Sequence, residues 1–211
     1  MPSPYLIPAC ETRREHRVVN SRFIATLTPV FSTDEARTFI ARIRKEFSDA
    51  THNVPAYMIG GGKNVTDYCS DDGEPQGTAG RPALAVLHGS GLGDVVVVIT
   101  RYFGGTLLGT GGLVKAYTES AQLVTKSVPR ARKLSVHVAM LALPYNLLER
   151  IRLLVGRHKG TILGEDFAAD VTMTLRFPLE TFPAFQADLQ QLSSGSLQAE
   201  VIETSEMLVP V

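Results

Sequence analysis

One stretch of this 211-residue chain constrains the fold more than any other. Residues 95–100 form an unbroken run of β-branched side chains, long enough for one buried strand. Residues 113–124 repeat their apolar side chains with helical spacing. Between these two segments lie Gly104, Gly105, Gly109, Gly111 and Gly112. The sequence therefore predicts a strand, a glycine-rich loop and a helix in succession.

This glycine-rich connection favours the binding of an anion. Glycines let a ligand approach the main chain closely, and the first amides of the following helix have no partner inside it. Arg101 before the loop and Lys115 in the helix would add positive charge, and Thr110 offers a hydroxyl group to a phosphate or as a helix cap. The alternative is a connection that needs glycine only for packing, since the spacing matches neither the Walker nor the dinucleotide motif.

An acidic segment precedes the strand. Asp71, Asp72 and Glu74 are three carboxylates within four residues, and turn-forming residues surround them. Three acids this close repel one another unless they are solvated, neutralised or bound to a cation. Arg81 and Arg101 are candidates for neutralisation, and Mg²⁺ is the cation that would suit carboxylate oxygens and a phosphorylated substrate.

The two motifs together carry a family resemblance. SDDGEPQGTAGRP followed by VVVVITRYFGGTLLGTGGLVKAY resembles the signature of the IMPACT family, in particular its bacterial YigZ branch. The similarity covers the N-terminal half, including SRFIA at residues 21–25 and ATHN at residues 50–53. The resemblance implies an N-terminal domain similar to the second domain of a small-subunit ribosomal protein. It also implies a C-terminal domain similar to the fifth domain of elongation factor G.

The resemblance has functional implications as well. Eukaryotic members regulate translation through protein partners, and the bacterial branch suggests nucleic-acid binding in the cytoplasm. His52 lies in the signature and Tyr102 directly follows Arg101, so both are candidate accessory residues. For His52 the alternative is a structural histidine held by hydrogen bonds.

Composition narrows the class of protein. The formal net charge is zero, with 21 basic and 21 acidic residues. Residues 1–133 hold 16 basic and 12 acidic residues, a net charge of +4, and residues 134–211 hold 5 and 9, a net charge of −4. A mildly basic first half is compatible with an acidic partner such as RNA. The two cysteines have no metal-site spacing, and no apolar run has the length of a signal peptide or a membrane span.

Periodicity predicts an α+β protein. The first half contains an extended arm over residues 1–17, strands over 18–30 and 54–59, a helix over 33–47 and a short helix over 83–88. Residues 60–64 predict the tip of a hairpin. This half is expected to be a ribosomal-protein-like split β-α-β domain, which the resemblance also implies.

The second half predicts a βαββαβ order. Strands are expected over residues 134–143, 161–164, 171–177 and 199–204, and helices over 146–158 and 179–193. That order is typical of a ferredoxin-like sandwich. Residues 129–133 are polar and contain a proline, which is typical of a linker. The predicted domains are therefore residues 1–133 and 134–211.

Two functional hypotheses follow. In the first, which we favour, the chain is a non-catalytic, translation-related regulatory or nucleic-acid-binding protein without a cofactor. Its partner would be RNA, the ribosome or a translation-associated protein, held by Arg81, Arg101, Lys115 and the helix amino end. In the second, the chain is a Mg²⁺-dependent enzyme that acts on a nucleotide or another phosphorylated small molecule.

Overall fold

A computed structural model describes residues 5–61 and 64–211. The chain divides into two compact units, one formed by residues 5–132 with 209–211 and the other by residues 133–208. The elements of the first unit are β1 (Ile7–Pro8), β2 (Thr12–Val18), β3 (Ser21–Pro29), α1 (Thr33–Glu46), β4 (His52–Gly61), β5 (Asn64–Cys69), α2 (Gly80–Gly89), β6 (Val95–Tyr102) and α3 (Gly109–Ser127).

The first unit contains a five-stranded sheet with the order β2-β3-β6-β4-β5. Each neighbouring pair in that order is antiparallel. Because β3 and β4 both run antiparallel to β6, they are parallel to each other, with α1 as the connection between them. This arrangement confirms the predicted split β-α-β fold.

Strand β6 lies at the centre of the sheet and is buried on both faces. Val95, Val97 and Ile99 belong to the apolar cluster that contains side chains of α2 and α3. Val96 and Val98 belong to a second cluster with side chains of α1. A strand covered on both sides needs an unbroken apolar run, which explains why its sequence does not alternate. Burial of each valine stabilises the fold by roughly 1.5–3 kcal/mol.

The amino-terminal segment differs from the prediction of an extended arm. Residues 12–18 form β2, which pairs with β3 through a tight turn in which Val19 adopts a φ of 53°. The strand is hard to recognise because most of its side chains are charged and exposed. Charged side chains are common on edge strands, where they discourage further pairing.

The helices of this unit agree with the predicted ones except for the start of α3. Helix α1 begins as predicted, with the Glu35 amide donating to Ser32 Oγ over 3.1 Å. Helix α3 begins at Gly109, four residues before the predicted start, so several of the predicted loop glycines belong to its first turn. Of the predicted hairpin tip, Gly62 and Lys63 lie outside the described residues, whereas Gly61 pairs with Asn64.

The second unit has the βαββαβ order of a ferredoxin-like domain, as predicted. Its strands pair in the order β10-β7-β9-β8, and the stacked rings of Phe177 and Phe185 lie in its core, 4.2 Å apart. Its elements are β7 (Arg130–Leu143), a 3₁₀ turn (Tyr145–Leu147), α4 (Leu148–Arg157), β8 (Thr161–Phe167), β9 (Val171–Pro178), α5 (Phe182–Leu192) and β10 (Glu200–Pro210). The first three residues of β7 and the last two of β10 belong to the first unit.

The segment predicted as a linker is not irregular. Strand β7 already begins at Arg130, and Arg130 and Ala131 pair with β1. Ala131 is fully buried, whereas Arg132 is exposed, so a charged composition coexists here with strand pairing. Among the helices that the structure describes, none combines the length and the apolarity that crossing a bilayer requires.

Candidate functional site

A pocket of about 400 Å³ opens where β6 ends and α3 begins. It brings together five of the residues predicted from the sequence: His52, Glu74, Arg101, Gly109 and Thr110. The remaining wall is formed by Thr51, Gly73, Pro75, Phe103, Leu107, Leu108 and Leu113. The pocket therefore joins the acidic segment, the central strand and the glycine-rich loop into one site.

The amino end of α3 contributes free main-chain amides to this pocket. In the part of the chain that the structure describes, no side chain caps the helix at Leu108, and its first turn contains no acidic residue. Gly109, Thr110 and Gly111 are exposed to solvent. The first amides of a 19-residue helix carry partial positive charge, so this end can accept an anion.

Arg101 lies at the end of β6 and is almost completely buried. Its Nη1 atom donates to Glu74 Oε1 over 2.6 Å, and its guanidinium carbon lies 5.5 Å from the ring centroids of both Phe23 and Phe103. Within the described ranges, its Nε atom has no hydrogen-bond partner. The charge of Arg101 is thus balanced by Glu74, but one N–H group of this pocket-lining side chain remains unused.

Glu74 is the centre of a buried polar network. Besides the bond from Arg101, its Oε1 atom accepts a hydrogen bond of 2.8 Å from the Tyr117 hydroxyl of α3. Burial raises the pKa of Tyr117 far above its ordinary value, and the neighbouring Glu74 carboxylate raises it further. Tyr117 is therefore a hydrogen-bond donor that fixes the Glu74 carboxylate.

His52 completes this network from β4. Its Nδ1 atom lies 2.7 Å from the main-chain oxygen of Asp72. A carbonyl oxygen can only accept, so Nδ1 carries a proton. The other ring nitrogen, Nε2, lies 3.8 Å from Glu74 Oε2. The His52 side chain thus contacts both Asp72 and Glu74 of the acidic segment.

The other two carboxylates of the acidic segment also accept hydrogen bonds from groups of the protein itself. Asp71 accepts from the amides of Gly77, Ala79 and Gly80 at 2.8, 3.1 and 2.9 Å. Burial alone would raise the pKa of Asp71, but these hydrogen bonds outweigh burial and lower the pKa below its ordinary value. Asp71 therefore shapes the loop that leads into α2.

Asp72 has two different partners. Its Oδ1 atom accepts from Arg44 over 2.5 Å, and its Oδ2 atom accepts from the Asn53 amide over 2.7 Å. Across residues 5–61 and 64–211, no three acidic, histidine or cysteine residues are grouped in a way that could hold a metal ion. Asp71, Asp72 and Glu74, the candidate Mg²⁺ ligands of the second hypothesis, are thus each held by separate internal partners.

Several predicted residues lie outside the pocket wall. Lys115 is 77% exposed, with its Nζ atom 3.9 Å from Glu119 Oε1, and Arg81 is exposed on α2. The Tyr102 hydroxyl donates to Asp49 over 2.8 Å, which raises the pKa of Tyr102. These side chains are therefore not brought together with Arg101 in one charged cluster.

The remaining glycines have separate roles. The Gly104 amide donates to Ser21 Oγ over 3.3 Å, and a Cβ atom on Gly104 would collide with the Asn20 carbonyl oxygen. Gly105 turns the loop with a φ of 83°. Gly111 and Gly112 lie in the first turns of α3.

Sequence reasoning missed the apolar wall of the pocket. Phe103 and Leu107 are 44% and 87% exposed, and both line the pocket. The sequence signal that could have indicated this wall was the presence of apolar residues within a glycine-rich segment. A pocket with apolar walls and a few directed polar groups is typical of ligand sites.

Two family models match this chain. The model described as the Impact N-terminal domain matches residues 19–125, and a domain of unknown function, DUF1949, matches residues 141–196. The Escherichia coli IMPACT family member YigZ is 38% identical over 200 residues, which are 94% of this chain and 98% of that protein. A Haemophilus influenzae IMPACT family member is 36% identical over 206 residues, which are 96% and 98% of the two chains.

Similarity extends to a solved structure. A crystal structure titled as that of a hypothetical protein shares 38% sequence identity and a TM-score of 0.63. The match covers 94% of this chain and 97% of that chain. Both units thus have a counterpart in a single known protein.

Proposed function

Because this chain belongs to the IMPACT family, we propose that it is a non-catalytic, translation-related regulatory protein that binds RNA in the cytoplasm. The anionic group that it recognises is an RNA phosphate, seated at the amino end of α3. Its partner is therefore RNA itself, or the ribosome through exposed RNA.

One observation carries this proposal. The amino end of α3 has no side-chain cap within the described residues, and it opens into a pocket that is also lined by the buried Arg101. A phosphate placed there would accept hydrogen bonds from the free amides and would neutralise their partial charge.

The charges around the helix also favour a phosphate. The first turn of α3 contains no acidic residue, and residues 1–133 have a net charge of +4. Glu74 is the acidic residue of the pocket wall, and its charge is balanced by Arg101 at 2.6 Å. The pocket therefore does not present an excess of negative charge to an incoming anion.

Binding is favoured over catalysis by the partners of the carboxylates. A Mg²⁺-dependent reaction would use Asp71, Asp72 or Glu74 as ligands. Each of them is committed to internal amides, arginines or a tyrosine, and recruiting it for a metal would break those contacts. The phosphate site at α3 needs no such rearrangement.

A charge placed at the helix end tests the proposal. Thr110→Glu adds a carboxylate that interacts favourably with the helix amides, so it should preserve or slightly raise stability while excluding a phosphate. We expect a drop of tenfold or more in the affinity for fluorescein-labelled tRNA, measured by anisotropy at several salt concentrations. Wild-type binding should weaken steeply as salt rises.

Gln122→Glu is the matched control. It adds the same charge to an exposed position of the same helix, more than three turns away, and should bind tRNA nearly as the wild type does. Equal affinities of wild type and Thr110→Glu would place the RNA elsewhere. Wild-type protein that binds an acidic protein but neither tRNA nor ribosomes would overturn the assignment of RNA as the ligand.

A further inference from the structure

A second pocket, of about 420 Å³, lies between α1 and the strands β4 and β5. We call it the tyrosine pocket. It is lined by Arg37, Ile40, Ala41, Arg44, Pro55, Tyr57 and Tyr68. None of these residues belongs to the site at the amino end of α3.

Two stacked aromatic rings form one wall of the tyrosine pocket. Tyr57 and Tyr68 face each other across β4 and β5, with ring centroids 5.3 Å apart and an interplanar angle of 26°. Tyr57 is buried, whereas Tyr68 is 47% exposed. The buried ring therefore holds the exposed ring in a fixed orientation, which lowers the entropic cost of stacking a further ring on it.

Arginines supply positive charge beside these rings. Arg37 and Arg44 are seven residues apart on α1, two turns along the same side of the helix. The Arg37 side chain is 73% exposed, and its ion pair with Asp34 is long, at 3.4 Å. Such a surface pair is weak, so Arg37 can exchange it for a phosphate at little cost.

We propose that the tyrosine pocket binds one unpaired nucleotide of single-stranded RNA, with its base stacked on Tyr68 and its phosphate paired with Arg37. This inference rests on the proposed RNA-binding function and adds a second contact to it. An exposed aromatic ring beside arginine is the combination that recognises unpaired bases. A duplex would not fit, because its bases are already stacked inside the helix.

One residue links the tyrosine pocket to the phosphate site. Asp72 accepts from Arg44 of the tyrosine pocket over 2.5 Å, and its main-chain oxygen accepts from His52 of the α3 pocket over 2.7 Å. Asp72 thus contacts one lining residue of each pocket, and its charge is balanced by Arg44.

The test measures binding of a fluorescein-labelled twelve-nucleotide oligoadenylate, single-stranded or paired with oligouridylate. Stacking on an aromatic side chain is worth roughly 1–3 kcal/mol per base, so Tyr68→Ala should lower the affinity for the single strand about tenfold. Tyr68→Phe keeps the ring and should bind within about threefold of wild type. Arg37→Gln should reduce the salt dependence of binding by about one phosphate contact.

Tyr145→Ala is the matched control. Tyr145 is also half-exposed and stacked on a neighbouring ring, Phe167, with centroids 6.3 Å apart, but it does not line the tyrosine pocket. We expect its affinity for the single strand to be unchanged. Urea unfolding of each variant checks that the fold is intact.

The outcomes separate this inference from the proposed function. If Tyr68→Ala binds like wild type while Thr110→Glu loses affinity, the stacking site is wrong and the phosphate site stands. If Tyr68→Ala loses affinity while Thr110→Glu does not, the stacking site stands and the phosphate site at α3 is wrong. Equal loss in Tyr68→Ala and Tyr68→Phe, preference for the duplex, or absence of RNA binding by the wild type would overturn the inference.

Discussion

Arg101 Nη1 and Glu74 Oε1 lie 2.6 Å apart, and both side chains are almost completely buried. This ion pair joins the end of the central strand to the acidic segment, and Tyr117 ties it to α3. The two long motifs of the family signature therefore meet in one polar network. The pair stabilises the walls of the pocket, and the free amides of α3 remain available to a ligand.

Removal of one partner of this buried pair should be costly. Glu74→Ala removes the carboxylate that accepts from Arg101 and Tyr117 and leaves a buried charge uncompensated, so we expect the free energy of unfolding to fall by about 3–5 kcal/mol. Urea denaturation followed by circular dichroism measures the change.

The control for this prediction is an exposed carboxylate that also pairs with arginine. Glu15 accepts from Arg17 and Arg22 on the surface. Solvent screens such pairs, so Glu15→Ala should change the free energy of unfolding by less than about 1 kcal/mol. A loss of that small size in Glu74→Ala would contradict the structural role of the buried pair.

Asp71 should make the free energy of unfolding depend on pH in the acidic range. Its folded-state pKa is lower than the ordinary value, so its stabilising effect is fully present above about pH 3.9 and is lost as the pH falls through the lower folded value. In Asp71→Asn, the side-chain NH₂ group cannot accept an amide proton. We expect a loss of about 1–3 kcal/mol at neutral pH and a weaker dependence on pH between 5 and 2.

Urea unfolding at a series of pH values checks this expectation. Asp67 serves as the control, because it lies four residues earlier and pairs with the exposed His88 over 2.8 Å. Asp67→Asn should stay within about 1 kcal/mol of wild type at neutral pH. If Asp71→Asn retains the full acid sensitivity of the wild type, the amide-bonded carboxylate is not its cause.

Two glycines of the loop and helix should respond to alanine in opposite ways. A Cβ atom on Gly104 would overlap the Asn20 main chain, which can move aside only with the turn between β2 and β3. Gly104→Ala should therefore lower the free energy of unfolding by at least about 1–3 kcal/mol. Gly111 lies in the first turn of α3, and apart from its chain neighbours and the backbone of its own helix no atom lies within 4 Å of its Cβ position. Gly111→Ala should therefore stabilise the helix by about 0.5–1 kcal/mol.

Thermal unfolding of both variants and the wild type measures these effects side by side. Opposite shifts of the melting temperature are expected. Two shifts in the same direction would mean that the loop glycines respond to chain flexibility alone, and that the contact between Gly104 and Asn20 is not essential.

Much of the fold could be predicted because its signals are local. The helical spacing of Phe39, Ile40 and Ile43 marks α1, and Ser32 marks its start. The βαββαβ order of the second unit follows from alternating periods of two and 3.6 residues. Strand β2 was missed because its exposed charged residues show no alternation of apolar and polar side chains. The start of α3 was misplaced because Gly109 and Gly111 have a poor helical propensity.

The sequence predicted some of the residues that line this pocket but not their contacts. Glu74, Arg101 and Gly109 lie in one pocket wall, whereas Asp71, Asp72 and the other predicted glycines do not. Their partners could not be assigned, because Asp71 bonds to amides whereas Glu74 bonds to Arg101 and Tyr117. The tyrosine pocket left no signal either, since Tyr57 and Tyr68 become neighbours only through strand pairing.

The sequence by itself determined the order of most strands and helices, the strand buried on both faces and the family signature, because each of these features depends on residues that are neighbours in the chain. Only the tertiary structure decided that Arg101 neutralises Glu74 and that the amides of α3 remain open to solvent. The reason is physical: periodicity and propensity act over a few neighbouring residues, whereas a buried ion pair depends on which distant groups the packed chain brings within hydrogen-bonding distance.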